Sequence, residues 1–146
     1  MLPAAEKFVA ELRKSCAAGL EGRDRWERCR ELLKELIADP ELKLHAQSWP
    51  VGGFDGKKVD NLLFYEDPDY GFVITGLVKP ARAGTPVHDH AHTWTVYAVL
   101  QGEEHVVRYQ HGDGGKDAAK LVKTDDYVVG KGYVDVVPPG IIHAEY

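Results

Sequence analysis

Residues 132–143 read GYVDVVPPGIIH, and this stretch decides the fold class. Tyr133–Val137 is rich in valine and tyrosine, which favour β-strands. Pro138-Pro139-Gly140 then forms a break, because proline and glycine interrupt regular structure. A second β-rich run, Ile141–Tyr146, follows and carries His143. The stretch therefore predicts two short strands joined by a tight turn, with a histidine on the second strand.

Short β-rich runs between turns extend over residues 57–146. The 15 glycines and 8 prolines among 146 residues also indicate many turns. The predicted strands are Asn61–Glu66, Phe72–Val78, Trp94–Leu100, His105–Gln110, Lys120–Thr124, Tyr127–Val129, Tyr133–Val137 and Ile141–Tyr146. Short strands at this spacing are typical of an antiparallel barrel or jelly roll rather than an α/β sheet.

The N-terminal part of the chain predicts two helices instead. Phe8, Leu12 and Cys16 recur every four residues, which places them on one apolar stripe of a first helix. A second helix is expected to begin near Asp24, which suits an N-cap, and to end before Pro40. Each helix has one apolar face, so each must pack on another part of the protein.

Residues 40–56 predict a surface connector between the helices and the strands. We expect the helices and connector, residues 1–56, to pack on a barrel at residues 57–146 within one structural domain. The two cysteines, Cys16 and Cys29, are too few for a disulfide scaffold. We interpret them as small core residues.

Charge and hydrophobicity exclude several classes of protein. The chain carries 18 Lys+Arg and 23 Asp+Glu, a formal net charge of −5. This balance argues against a nucleic-acid binder, which needs a basic surface. No apolar run reaches the roughly 18 residues of a membrane span, and the N-terminal residues lack the apolar stretch of a signal peptide. We therefore expect a cytoplasmic protein that binds neither nucleic acid nor membrane.

The histidines indicate the chemistry. Residues 87–92 read VHDHAH, and residues i and i+2 of a strand share a face, so His88 and His90 point the same way. Two neutral imidazoles on one face can hold a divalent metal, with His143 as a third ligand from another strand. Alternatively, His88 and His90 are hydrogen-bonded surface residues near a loop.

Both histidine segments resemble known motifs. The spacing GX5PXGX2H from Gly132 to His143 resembles the second motif of the cupin superfamily. The spacing HXHX11G from His88 to Gly102 resembles the histidines and closing glycine of the first motif, although Gly84 stands closer to the first histidine than the motif's opening glycine does. The resemblance covers roughly residues 60–146 and implies a cupin double-stranded β-helix, a jelly-roll barrel, to which the periodicity of the N-terminal part adds two α-helices.

Within the cupins, the segment from His88 to Gly102 resembles the thiol dioxygenases of the cysteine dioxygenase type. Thr95 stands where ordinary cupins have a glutamate ligand, and thiol dioxygenases lack that glutamate. The resemblance implies Fe(II) held by His88, His90 and His143, and oxidation of a small thiol to a sulfinate with O2. Three neutral imidazoles would leave the ion at +2, a charge that favours an anionic ligand such as a thiolate. Zinc is the competing metal, with manganese and nickel as further alternatives.

Two residues are candidates for catalysis or substrate binding. Arg82 could grip a substrate carboxylate, since the arginine of cysteine dioxygenase has no counterpart here; the alternative is a solvated loop arginine. Tyr97 should face inward and offer its phenol to substrate or oxygen; the alternative is a core tyrosine with a satisfied hydroxyl. His92 and Glu145 are open alternatives as further metal ligands, and Glu145 could instead accept a hydrogen bond from a ligand.

Two other functions stay open alongside a thiol dioxygenase. One is a metal-dependent cupin enzyme acting on a non-thiol substrate, and the other is a non-catalytic cupin module that senses a ligand. The expected partners are a small-molecule substrate, O2 and a second copy of the chain, because cupins often dimerise through sheet edges. Cupin barrels normally have further strands after the last metal histidine, so the barrel would lack its last strands after Tyr146. We expect a chain that is cut short there, and the alternative is that another chain completes the barrel.

Overall fold

A computed structural model describes two compact units, Met1–Ala83 and Gly84–Tyr146. The residues that the structure describes are 1–50, 62–79, 87–90, 93–112 and 120–145. They form three helices and seven strands, with all three helices in the first unit and five of the strands in the second.

The two predicted N-terminal helices are present as α1 (Pro3–Ala17) and α2 (Gly22–Ile37), which pack against each other. Helix α2 begins before Asp24, so the prediction of that residue as N-cap is wrong by one turn or less. Cys16 and Cys29 are buried and free, which confirms their interpretation as core residues. Burial raises the pKa of the Cys29 thiol to about 12, so it stays protonated at neutral pH. The buried residues of the two helices are Phe8, Val9, Leu12, Ser15, Cys16, Cys29, Leu32 and Leu36.

A third helix, α3 (Pro40–Ala46), occupies part of the range 40–56 that the sequence predicted as a connector. The Asp39 side chain caps it by accepting a hydrogen bond from the Leu42 N–H at 3.1 Å. Proline suits the first turn of a helix, where its missing N–H is not needed. The proline that was expected to end α2 therefore also begins α3.

The first unit also contains a two-stranded antiparallel sheet. Its strands are β1 (Leu62–Glu66) and β2 (Val73–Gly76). The structure confirms strands within the predicted ranges Asn61–Glu66 and Phe72–Val78, although Asn61 itself lies outside the described residues. Gly71 in the connection adopts φ +76°, a conformation that glycine reaches without steric cost.

The connection between β1 and β2 is organised by Asp67, which is buried. Its carboxylate accepts hydrogen bonds from the Tyr65 hydroxyl at 2.8 Å and from the backbone N–H groups of Asp69 and Tyr70 at 3.1 and 2.7 Å. Arg13 of α1 donates to the same carboxylate at 2.5 Å. A single side chain therefore shapes the turn and ties α1 to the sheet.

The described part of the second unit consists of five strands in two antiparallel sheets. In the first sheet, β3 (Thr95–Ala98) pairs with β6 (Val134–Val137). In the other, β4 (Glu103–His111) is the central strand between β5 (Leu121–Gly130) and β7 (Ile142–Glu145). The antiparallel pairing agrees with the sequence prediction.

Strand β5 is longer than predicted. The sequence predicted two strands, Lys120–Thr124 and Tyr127–Val129, separated by a break at Asp125-Asp126. The structure has one continuous strand across the two aspartates. Pairing with β4 holds the strand together, and the Asp126 carboxylate contacts His105 across the sheet and accepts from Lys123 at 2.9 Å. Cross-strand partners thus override the turn preference of aspartate.

The core of the second unit is a buried valine cluster of Val99, Val106 and Val129, against which Tyr127 and Tyr133 pack.

The structure confirms the predicted combination of N-terminal helices and a β-rich remainder. The described strands of this unit form two separate sheets and do not close into a barrel. No helix within the described ranges is long and apolar enough to cross a membrane.

Candidate metal site

His88 and His143 are joined through their backbones. The His88 N–H donates to the His143 carbonyl at 3.0 Å, and the His143 N–H donates to the His88 carbonyl at 2.9 Å. Residues that exchange two hydrogen bonds in this way lie directly opposite each other on antiparallel segments, with their side chains on one face. The ring centroids are 4.5 Å apart as a result. The backbone itself therefore fixes two of the predicted ligands side by side.

His90 completes the cluster, as its spacing from His88 predicted. Its Nε2 atom lies 3.3 Å from the Nε2 atom of His143, and its ring centroid is 5.2 Å from that of His88. One ligand nitrogen from each of the three residues lies within 4.8 Å of the other two. The structure thus brings together the three histidines that the sequence singled out, and they could bind a metal ion.

In the neutral form of the His143 ring, its hydrogen bonding leaves the Nε2 atom available to bind a metal ion. Its Nδ1 atom lies 3.0 Å from the Ile141 carbonyl oxygen, which can only accept, so Nδ1 carries the proton. In the neutral ring, Nε2 then has a free lone pair, and this is the atom next to His90. A backbone carbonyl that orients a histidine in this way is a common feature of metal sites.

The separation of one pair of the nitrogen atoms, those of His90 and His143, also fits a single ion. Imidazole nitrogens bind zinc or iron at about 2.1 Å, so two adjacent ligands of one ion lie about 3.0–3.4 Å apart. The 3.3 Å between the Nε2 atoms of His90 and His143 falls in this range. The donor set of three imidazoles suits zinc, iron, copper and nickel, so the donors alone do not select one metal.

The pKa values of two of the histidines shift in opposite directions. Burial lowers the pKa of His90, and the neighbouring His143 and His88 lower it further, so its neutral, metal-binding form is favoured. A hydrogen bond with Glu145 raises the pKa of His143 despite the burial of that ring. Oε1 of Glu145 lies 3.3 Å from Nε2 of His143. The Glu145 carboxylate therefore favours the protonated form of the His143 ring over the neutral form.

An arginine that the sequence analysis did not select lies beside the cluster. Arg108 of β4 is the direct cross-strand partner of His143, so their side chains share a face of the sheet. Its Nη2 group donates to Asp135 of β6 at 2.6 Å. Arg108 is the single arginine in the sequence from Gly84 onward. This isolated position is the one sequence feature that could have marked it as a candidate before the strand pairing was known.

Tyr97 of β3 lies on the strand that pairs with β6, which carries Asp135, the partner of Arg108. It lies opposite Asp135 in the pairing of β3 with β6, and its ring centroid is 6.0 Å from that of Tyr133. Burial raises the pKa of Tyr97, as do the neighbouring Tyr133 and Tyr127, so its phenol remains a hydrogen-bond donor. The role of Tyr97 toward substrate or oxygen stays a prediction.

The remaining predicted site residues have different outcomes. Arg82 and His92 lie outside the described residues, and their proposed roles stay predictions. Glu145, which the sequence analysis left open as a further ligand, lies against the cluster at His143.

No protein-family model matches the chain, and a search of curated proteins found no matching sequence.

Proposed function

We propose that this protein is a metal-dependent enzyme of the cupin superfamily that oxidises a small thiol to a sulfinate with O2. Fe(II) would be held by His88, His90 and His143. The observation that carries the proposal is the convergence of three histidine nitrogens within 4.8 Å, from two segments far apart in the sequence. His143 is only 3% exposed, so the cluster is not made of surface histidines alone.

The backbone supports the cupin part of the proposal. Gly102, Gly132 and Gly140, which belong to the two cupin-like motifs, adopt φ values of +80°, +91° and +82°. Only glycine reaches this region without strain, so the motif spacing has a conformational reason. The double-stranded β-helix would bring the two sheets of the second unit together as the walls of one jelly roll.

Iron at this site would supply the redox chemistry with O2 and a positive charge that lowers the pKa of a thiol. In the net reaction, R–SH and O2 give R–SO2H: both oxygen atoms join sulfur, which is oxidised by four electrons while O2 is reduced. The residues of the chain would bind and orient the substrate. Arg108 would attract an anionic group of the substrate, and the protonated phenol of Tyr97 would donate a hydrogen bond.

A metal-dependent enzyme acting on a non-thiol substrate is the second candidate, and Glu145 favours it. Its carboxylate lies 3.3 Å from Nε2 of His143 and would reduce the positive charge of a bound ion. A less positive ion attracts a thiolate less strongly. With zinc in place of iron, such a site suits hydrolysis by a bound water.

Oxygen uptake by the Fe(II)-loaded full chain tests the proposal. Cysteine, 3-mercaptopropionate and cysteamine would be offered in turn, with Zn(II)-loaded protein as the control and mass spectrometry to detect a sulfinate. We expect thiol-dependent uptake with iron alone. His143→Ala should abolish both metal binding and uptake, whereas His111→Ala, which alters an exposed histidine of β4, should leave both unchanged. No thiol-dependent uptake by protein that holds iron would reject the thiol reaction and favour the second candidate.

A further inference from the structure

Strand β5 forms one edge of the three-stranded sheet of the second unit. It pairs with β4 on one side, and no strand of the described part of the chain pairs with its other side. The strand is ten residues long, and the side chains of residues 121–126 are all exposed. A long edge strand presents backbone N–H and C=O groups that can pair with a strand of another molecule. The free side of β5 is therefore a candidate interaction surface.

A bulge determines which side chains of β5 share a face. Asp125 pairs with Arg108 and Lys123 pairs with Tyr109, so Thr124 is the extra residue of the bulge. In a regular strand, residues three positions apart point to opposite faces. The extra residue brings Lys123 and Asp126 to the same face, where the Lys123 ammonium donates to the Asp126 carboxylate at 2.9 Å.

The same face carries an exposed apolar residue towards each end of the strand. Leu121 lies two positions before Lys123, and Val128 lies two positions after Asp126. Leu121 is 39% exposed and Val128 is 62% exposed. Along the strand, the face therefore reads apolar, positive, negative, apolar. This order is complementary to itself when a second copy of the strand runs in the opposite direction.

We propose that β5 pairs antiparallel with β5 of a second copy of the chain and joins two three-stranded sheets into one continuous sheet. Lys123 of each copy would lie opposite Asp126 of the other, and Leu121 opposite Val128. Every contact would occur twice, as in any symmetric dimer. The inference depends neither on the proposed metal nor on the proposed reaction.

The register of this pairing avoids unfavourable contacts. At its centre, Thr124 of each copy would face Asp125 of the other, so no two like charges would lie directly opposite each other. Within one chain, Asp126 already contacts Lys123 and His105. Pairing would add a second lysine to each aspartate and cover part of the exposed leucine and valine. This complementarity of charge and apolar surface favours a second copy over an unrelated strand.

Sedimentation velocity of the full chain over a range of concentrations tests the inference. We expect wild type to dimerise. Lys123→Glu and Asp126→Lys each place like charges opposite each other at two symmetric positions, so each should raise the dimer Kd by about tenfold or more. Lys131→Glu, which reverses a charge in the exposed turn after β5, is the control and should leave the dimer Kd unchanged.

A mixture of the two single variants separates pairing from an effect on folding. Each variant breaks the ion pair between Lys123 and Asp126 within its own chain, and mixing does not repair that loss. In a mixed dimer, however, the introduced glutamate would face the introduced lysine, and the native Asp126 of one chain would face the native Lys123 of the other. We expect the equimolar mixture to dimerise nearly as tightly as wild type.

Three results would overturn the inference. The first is a wild-type chain that stays monomeric at every concentration at which it is soluble. The second is a dimer that neither single variant weakens, because the two copies would then meet through a different surface. The third is a mixture of the variants that stays as monomeric as each variant alone, because the loss would then arise within one chain.

Discussion

Arg108 of β4 lies directly opposite His143 of β7, so a permanent cation shares a face of the sheet with the most buried histidine of the candidate site. The guanidinium also donates to Asp135 of β6 at 2.6 Å and thereby links the two sheets of the second unit. This arrangement gives Arg108 a structural role through Asp135, and the proposed function adds a role in binding an anionic substrate beside the three histidines. The two roles predict separable effects.

The structural role is tested by Arg108→Ala. The substitution leaves Asp135, whose side chain is 18% exposed, without its charged partner. We expect the free energy of unfolding in urea to fall by about 2 kcal/mol, less than for a fully buried pair because both groups retain some water. A double-mutant cycle with Asp135→Ala should show coupling of about 1 kcal/mol or more. Additive effects of the two substitutions would contradict the role of this ion pair.

The functional role is tested by Arg108→Gln with substrates of different charge. We expect the KM for 3-mercaptopropionate to rise about tenfold or more, because its carboxylate loses a cation, with little change for cysteamine, which has no carboxylate. Lys131→Gln, in the exposed turn before β6, is the matched control for loss of one positive charge. Equal effects of Arg108→Gln on both thiols would show that the arginine does not recognise an anionic group.

Asp67 predicts how the stability of the protein depends on pH. Burial raises the pKa of this carboxyl, but the hydrogen bonds from Tyr70, Tyr65, Arg13 and Asp69 outweigh it and lower the pKa to about 2. The folded state therefore binds a proton less readily than the unfolded chain, whose pKa is about 3.9. The contribution of Asp67 to stability is complete above that value and is lost as the pH falls towards 2.

The measurement for Asp67 is the urea midpoint between pH 7 and pH 2 for wild type and Asp67→Asn. The variant should be less stable than wild type at pH 7, and the difference should shrink below pH 4. Asp69→Asn is the control, because the Asp69 side chain is 62% exposed and binds the same arginine. A constant difference between Asp67→Asn and wild type over the whole range would disprove the assignment.

A substitution at Gly132 would measure the free-energy cost of a left-handed backbone conformation in a residue other than glycine. Its φ is +91°, and an added Cβ would meet no atom within 4 Å, so Gly132→Ala introduces strain without a clash. We expect a loss of about 1–2 kcal/mol in unfolding free energy. Gly130 likewise has no atom within 4 Å of an added Cβ, but no left-handed φ. Gly130→Ala should therefore cost much less, and equal losses for the two variants would argue against conformational strain.

Much of the fold followed from local sequence signals. The turn Pro138-Pro139-Gly140 and the strands on either side of it are encoded within a few residues, as are the apolar stripes of α1 and α2. Helix α3 was missed because Pro40 was interpreted only as the end of α2, although Asp39 supplies a cap for a new helix. The continuity of β5 was missed because it depends on pairing with β4, which is not a local property.

The residues of the candidate site also differ in whether local sequence signals could select them. His88 and His90 could be selected by their spacing in a strand, and His143 by its position after a rigid turn. Arg108 could not be selected, because its position opposite His143 depends on the register of β4 against β7. That register in turn depends on long-range hydrogen bonds, and β4 also carries a shift against β5 next to this residue.

The backbone bridge between His88 and His143 would also determine when the protein could capture a metal ion at the proposed site. Fifty-five positions separate these two residues, and closing so long a loop is entropically costly and slow compared with forming a hairpin. During synthesis, a chain that has not yet released β7 from the ribosome would offer His88 and His90 without His143, one ligand fewer than the proposed site needs. Metal loading would therefore mark the completion of the second unit rather than nucleate it, and an ion added early in refolding should not accelerate its collapse.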